Sequence, residues 1–314
     1  MDQNKVYDIV IIGAGPAGLT AGIYAKRANL DVAVIEKQYP GGKVATTATV
    51  ENYPGFEQID GYQLAYNMYD QLVKLNATFI FDEAIEIKIN NNYKEVVLKN
   101  QTLIAKTVII ATGTKNKKLN IPNEIEFEQK GISYCAICDG VLFKDQDVSV
   151  IGAGNSAVEE AIYLAGICNK VYLISNKPHF VAEEYSIQLM QKTPNIIPLM
   201  NKQTLSFFGN DSLEGLEYED KETKVKEKIY VKGNFTFIGL LPSGIKLPNN
   251  LVYDPKTGFI NTDEHMSTQI VGIYAAGDIV NKNIRQISTA VNDGTIAALH
   301  AKEFITRNSW EPTK

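Results

Sequence analysis

Residues Tyr7 to Ile12 and Val148 to Ile151 are short, nearly unbroken apolar runs rich in Val and Ile, the pattern of strands. Each run stops at glycines, continues into a segment whose apolar positions return at helical spacing, and ends in a second apolar run. Each is therefore a βαβ unit, and the two are copies of one another. Ile12-Gly13-Ala14-Gly15 returns as Ile151-Gly152-Ala153-Gly154, Ile23-Tyr24 as Ile162-Tyr163, and Val32 to Ile35 as Val171 to Ile174, all at an offset of 139 residues. The second helix is expected over 158–167, with Cys168 near its end as a small buried residue.

β-rich stretches with turn signals follow each unit, Ile85 to Leu98 around Asn90-Asn91-Asn92 and Leu205 to Val231 around Asn210-Asp211. Both copies then return to an apolar strand closing on glycine, Val108 to Gly113 and Phe235 to Gly239. From Leu251 onward no glycine-rich strand-to-helix turn recurs, so this segment is not a third copy and is expected to rejoin the first domain. Lys115 to Asn123 and Leu240 to Asn250 are polar or proline-containing and are expected to form two strands of a hinge.

Composition narrows the function classes. A chain of 314 residues with 45% hydrophobic content has room for about two domains with buried cores. A net charge of -5 and the absence of long basic runs argue against a nucleic-acid partner. Met1 to Asp8 carries no targeting pattern, and no apolar stretch approaches the roughly 18 residues of a membrane span, so a cytoplasmic protein without membrane contact is expected. Only three cysteines occur, two of them close together, which suits a redox or metal motif and not a disulfide scaffold.

Candidate chemistry begins at the glycines. Gly13, Gly15 and Gly18 form the Gly-x-Gly-x-x-Gly turn of dinucleotide sites: the first permits a tight turn, the second admits a pyrophosphate to the backbone, and the third lets helix and strand pack closely. The phosphates then meet the free N–H groups and positive dipole end of the helix. Glu36 ends the following strand, 23 residues after Gly13, where a carboxylate binds a ribose hydroxyl. In the second copy Gly152, Gly154 and Ala157 keep the turn, but the position equivalent to Glu36 is Ser175. Its loop, Ser175-Asn176-Lys177-Pro178-His179-Phe180-Val181, offers neither a carboxylate for a 2′-hydroxyl nor an arginine for a 2′-phosphate.

Cys135-Ala136-Ile137-Cys138 precedes Asp139-Gly140, ahead of the second turn. Such a pair closes a disulfide with little loop, and its lowered thiolate pKa makes it reactive near neutrality. One thiol attacks a partner's disulfide while the other resolves the product or meets an electron carrier. Asp139 is a candidate acid/base group. A zinc site would need two more ligands, and Cys168, His179, His265 and His300 form no second close pair, so no metal is expected.

Taken together these features resemble the bacterial low-molecular-weight thioredoxin reductases over essentially the whole chain. The likeness also includes Gly41-Gly42, Val50-Glu51-Asn52-Tyr53-Pro54-Gly55, Ala111-Thr112-Gly113, Gly131 to Gly140, Tyr274-Ala275-Ala276-Gly277-Asp278 and Arg285-Gln286. The resemblance implies an α/β fold of two Rossmann-like three-layer nucleotide-binding domains, each with an added β-meander and the second inserted into the first. The boundaries would be 1–116 with 246–314 for the FAD domain, and 117–245 for the inserted pyridine-nucleotide-type domain.

For FAD the resemblance implies contacts from Gly13, Gly15, Pro16, Ala17 and Gly18, then from Glu36, Lys37, Gly42, Lys43 and Asn52. Thr112, Gly113, Gly277, Asp278, Arg285, Gln286 and Ile287 complete that set, with Ile287 opening a helix toward the flavin ring. A pyridine nucleotide, NADPH or NADH, would meet Gly152, Gly154, Asn155, Ser156, Ala157, Ser175, Asn176 and Lys177. It further implies a homodimer whose inserted domain rotates between two poses, with electrons running from donor to FAD, to Cys135–Cys138, to thioredoxin. Cys138 would face the flavin, Cys135 would attack thioredoxin, and Asp139 would supply protons. The family's His-Arg-Arg-x-x-x-Arg grip on the 2′-phosphate falls on Ser175 to Val181, where its arginines are missing. NADPH through a different loop, NADH and reduced ferredoxin therefore stand as alternative donors. A ferredoxin–NADP reductase-like flavoprotein would not need the thiols, and a non-catalytic flavin and thiol redox sensor would use them only as a switch.

Overall fold

The computed structural model describes residues 5–47, 49–247 and 253–310; the expectations that fall on residues 1–4, 248–252 and 311–314 lie outside the described residues. The chain divides into two compact units, one built from the residues up to Lys115 and from Pro242 on, the other from Asn116–Leu241. The sequence reading put these crossings at 116/117 and 245/246. Thr114–Asn116 and Leu240–Pro242, at the two crossings, pair as a two-stranded ribbon. Among the described residues no helix is long and apolar enough to cross a membrane.

In the first unit, Val6–Ile12 lies parallel between Val32–Glu36 and Thr102–Ile110, and Thr78–Phe81 extends the sheet beyond Val32–Glu36. Successive strand residues point to opposite faces, and both faces are covered. Ile9, Ile11, Val32, Val34 and Ile109 pack with residues of the helices Pro16–Arg27 and Ile287–Arg307. Val10, Ile12, Ala33, Ile35 and Ile110 pack with Ile87, Val96 and Leu98 of the hairpin Ala84–Asn90/Tyr93–Leu98. This two-sided burial is why the strands read as continuous apolar runs. Thr102–Ile110 serves two partners along one edge: its first half pairs antiparallel with the hairpin and its second half pairs parallel with Ile273–Ala275. The late segment thus joins the first unit's sheet, as its missing glycine turn led us to expect.

The second unit repeats the scheme. Its parallel sheet runs Ile132–Ser133, Gly233–Thr236, Asp147–Ile151, Lys170–Ile174, Ile196–Leu199. Val148, Val150, Val171 and Leu173 pack with the helices Asn155–Ala165 and Glu184–Gln191, while Ile151 and Ile174 pack with the meander Lys202–Gly209, Leu213–Asp220, Lys226–Tyr230. This meander is a separate three-stranded sheet. The helix starts at Asn155, earlier than its apolar spacing showed, because its first turn is polar; Cys168 lies three residues past its end and is buried. The helix Gly61–Val73, capped by Asp60 accepting from Gln63 N–H, matches no element read from the sequence.

The parallel strands of the two sheets share one spatial order, yet the fifth parallel strands come from opposite ends of their units. Ile273–Ala275 arrives after the insertion, whereas Ile132–Ser133 precedes the second glycine turn. Gly277-Asp278 and the thiol segment therefore follow equivalent strands, at the carboxyl ends where α/β sheets bind their ligands.

Candidate functional site

The first glycine turn has steric reasons for two of its three glycines. Gly13 has φ +104°, and a Cβ there would sit 2.3 Å from the carbonyl oxygen of Ala111. A Cβ on Gly18 would sit 1.9 Å from the carbonyl oxygen of Gly13, whereas nothing lies within 4 Å of the Cβ direction of Gly15. Two glycines are thus required by the fold and the third faces open space, the cradle a pyrophosphate needs. Pro16 opens the helix at its first turn, where its missing N–H costs nothing.

Tertiary contacts gather the other first-unit candidates around this turn. Glu36 accepts from Ala14 N–H and Gln38 N–H, both at 2.9 Å, so its carboxylate sits at the rim of the turn. Gly41 N–H bonds Ala14 carbonyl at 2.7 Å, and a Cβ on Gly42 would approach Gly15 Cα at 3.3 Å. A Cβ on Gly277 would meet Ala17 Cβ at 2.8 Å, which puts Gly277-Asp278 against the same helix start. Among the described residues the buried Thr112 hydroxyl has no hydrogen-bond partner, and the adjacent Gly113 faces open space. Lys37, by contrast, turns toward Glu83 at 3.9 Å on the exposed side.

Lys43, Asp278 and Arg285 form one charged group. Burial pushes the Lys43 ammonium down to about 8, with Asp278 opposing the shift and Arg285 adding to it. Burial likewise raises Asp278, against the pull of Lys282, Lys43 and Arg285. The Arg285 guanidinium donates to the carbonyls of Asp278 and Val280 at 3.3 Å each and stacks 4.2 Å from the Phe259 ring. Gln286 caps the helix Ile287–Arg307 through a reciprocal box with Thr289, and Asn52 Nδ2 donates to Gln286 Oε1 at 3.4 Å. The open Gly15, the orphan Thr112 hydroxyl and this group of partly offset charges fit a dinucleotide cofactor.

The second turn is built alike. Gly152 has φ +155° and its Cβ would meet Phe237 carbonyl at 2.3 Å; Gly154 faces open space. Ala157 is buried, Ser156 is exposed, and Asn155 forms a two-way bond with Glu183: its Nδ2 donates at 3.3 Å and its Oδ1 accepts from Glu183 N–H at 2.9 Å. Ser175 is buried and its hydroxyl accepts from Lys177 N–H at 3.0 Å, while Asn176 and Lys177 are exposed.

Cys135 and Cys138 form a disulfide with Cα atoms 5.4 Å apart. Cys135 caps the one-turn helix Ala136–Asp139, and Cys138 N–H donates to Cys135 Sγ at 3.3 Å. Cys135 is half-buried and Cys138 exposed. Ser133, at the end of its strand, accepts from Cys135 N–H at 3.0 Å and donates to Asp139 Oδ2 at 2.6 Å. Neither contact is visible in a Cys-x-x-Cys-Asp pattern. Behind them, buried Glu124 accepts from the N–H groups of Leu119 and Asn120 and from Tyr134 O–H, tying the residue before Cys135 to the loop after the crossing. Cys168 takes no part: burial raises its thiol to about 11. Among the described residues no group of His, Cys, Asp and Glu could hold a metal.

Comparison with known proteins agrees with this architecture. Residues 7–294 match the family described as pyridine nucleotide-disulphide oxidoreductase. The chain is 58% identical to the thioredoxin reductase of Ureaplasma parvum, over 98% of this chain and 100% of that protein. It is 43% identical to that of Mycoplasma pneumoniae, over 96% of each. The crystal structure of Lactococcus lactis thioredoxin reductase superposes with a TM-score of 0.94 at 37% identity, covering 96% of this chain and 100% of that one. With the family matched over most of the chain and these relatives covered nearly end to end, the chain belongs to the pyridine nucleotide-disulphide oxidoreductases, among the thioredoxin reductases.

Proposed function

We propose that the chain is an FAD-dependent thioredoxin-disulfide reductase working through Cys135, Cys138 and Asp139. The observation that carries this reading is the Cys135–Cys138 disulfide with its Cys138 N–H to Cys135 Sγ contact, beside an Asp139 carboxyl oriented by Ser133. The Gly13 turn, Glu36 and the Asp278 group would hold FAD, and the flavin would supply the electron pair that opens the disulfide.

In the dithiol, the Cys138 N–H favours negative charge on Cys135 Sγ, which makes Cys135 the attacking thiolate. Attack on the thioredoxin disulfide joins Cys135 to one thioredoxin sulfur and releases the other as a thiolate. Asp139 delivers the proton that this leaving sulfur takes up. Cys138 then attacks Cys135, re-forming their disulfide and freeing reduced thioredoxin. Val141 and Leu142, 62% and 69% exposed just beyond the thiols, supply an apolar seat for thioredoxin.

The Gly152 turn, which repeats the strained first glycine and the open second glycine of the Gly13 turn, supports a reduced pyridine nucleotide as donor, in preference to ferredoxin. A cytoplasmic location follows from a pair that must cycle through the dithiol. Tyr62 and Tyr66, 63% and 49% exposed on the helix Gly61–Val73 and stacked at 6.5 Å, support a homodimer in which a second copy covers this face.

The test is anaerobic. Holoenzyme reduced with stoichiometric dithionite is mixed with oxidised thioredoxin, and thioredoxin thiols are counted. Transfer of one electron pair per reduced enzyme is expected, with Cys135→Ser retaining flavin and transferring nothing. No transfer by the wild type would leave a redox sensor or a ferredoxin–NADP reductase-like protein in its place.

A further inference from the structure

We propose that Lys221, acting with Lys177, forms the 2′-phosphate subsite of the second nucleotide turn, so that the chain selects NADPH over NADH; this rests on reading that turn as a pyridine-nucleotide site. Lys221 Nζ donates to the carbonyl of Asn176 at 3.0 Å. Asn176 is the first residue past Ser175, which stands where Glu36 stands in the first copy. The ammonium of Lys221 is therefore delivered to the stretch of loop where a ribose 2′-substituent would lie.

Its position is fixed by the backbone. Lys202 N–H bonds Ser175 carbonyl at 2.8 Å, Asn201 N–H bonds Lys177 carbonyl at 3.0 Å, and Lys221 N–H bonds Asn201 carbonyl at 2.9 Å. Asn176 Nδ2 adds a bond to Gln203 Oε1 at 3.2 Å. The turn after Leu213–Asp220 is thus fastened to the nucleotide loop through the start of the meander.

The charges at this junction favour a phosphate. Ser175 is neutral and its hydroxyl is engaged by Lys177 N–H, so the site has no carboxylate to hold a 2′-hydroxyl and none to repel a 2′-phosphate. The nearby carboxylates are occupied. Asp220 pairs with Lys202 and accepts from Glu222 N–H and Thr223 N–H, and Glu222 accepts from Asn201 Nδ2. Lys177 and Lys221 are both exposed, and neither is in an ion pair among the described residues. Two ammonium groups at one loop replace as point charges the missing arginine forks.

Titration calorimetry on oxidised holoenzyme tests this, with NADP⁺, NAD⁺ and 2′,5′-ADP as probes. Wild type is expected to bind NADP⁺ at least about tenfold tighter than NAD⁺, and to bind 2′,5′-ADP. Lys221→Ala should weaken NADP⁺ and 2′,5′-ADP about tenfold while leaving NAD⁺ within about twofold. Lys221→Arg should keep the preference, and Lys177→Ala with Lys221→Ala should abolish it. Lys224→Ala, on the same turn but facing Glu219, should change neither ligand. Equal affinities in the wild type, a preference for NAD⁺, no nucleotide binding, or an equal loss of both nucleotides in Lys221→Ala would overturn the proposal. Each variant's melting temperature separates misfolding from lost affinity, with Lys221→Arg as the folded comparator. The dithionite-to-thioredoxin transfer needs no nucleotide, so failure of the parent reading registers there and not here.

Discussion

Ser133 Oγ donates to Asp139 Oδ2 at 2.6 Å while accepting from Cys135 N–H at 3.0 Å, so one hydroxyl holds both the carboxyl group and the backbone of the disulfide's first cysteine. Because Ser133 is buried at the end of a strand, its geometry is set by the sheet and not by the thiol loop. Ser133→Ala should therefore lower thioredoxin turnover about tenfold, a part of the roughly 10²–10⁴-fold that a positioned acid/base group supplies, with KM changed little. Ser133→Thr should restore part of the rate. A pH profile that moves in Ser133→Ala would identify the loss with Asp139; an unchanged profile would show that only packing was disturbed.

Gly15 and Gly18 should respond to alanine in different ways. A Cβ on Gly18 collides with Gly13 carbonyl, so Gly18→Ala should destabilise the fold by about 3 kcal/mol or more. Gly15→Ala places its methyl in open space. Its apoprotein should melt within a few degrees of wild type while flavin retention after gel filtration falls sharply. Equal flavin content in Gly15→Ala and wild type would rule out this cradle.

Glu160 is buried enough that desolvation, assisted by Glu159, raises its carboxyl from 4.5 to about 7, and its Oε2 has no hydrogen-bond partner among the described residues. The folded state keeps a proton that the unfolded chain releases, so stability falls as pH rises from about 4.5 to 7 and stays lower above. The contribution is on the order of 1–2 kcal/mol. Glu160→Gln should accordingly gain about 2–4 °C in melting temperature relative to wild type between pH 5 and pH 8. Parallel pH curves for the two proteins would disprove the assignment.

Val141→Asp and Leu142→Asp place a charge on an exposed apolar pair next to the disulfide. Both should raise KM for thioredoxin at least about tenfold while leaving flavin reduction by the donor intact. Unchanged KM in both would move the docking surface elsewhere.

How much of this was legible beforehand depends on the range of the physics. The glycine turns, Glu36 and the cysteine pair are local: a positive φ, a missing Cβ or a two-residue spacer writes itself into residue type and spacing. The helix Asn155–Ala165 begins three residues before its apolar periodicity does, because Asn155 and Ser156 in its first turn are polar and amphipathic spacing does not register them. The helix Gly61–Val73 was not read as an element, although Asp60 gives it a regular cap.

By itself, then, the sequence determined that there are two glycine turns between strand and helix, that a carboxylate, Glu36, ends the strand after the first, and that Cys135 and Cys138 are spaced for a disulfide. Tertiary structure decided what surrounds them. Sheet order brought Ile132–Ser133 and Ile273–Ala275 to equivalent positions from opposite ends of their units, aligned Ser133 with Asp139, and set Asn52 on Gln286. It also carried Lys221 to Asn176 across 45 residues of chain. Such contacts depend on strand pairing and register, which a spacing rule along the chain does not contain.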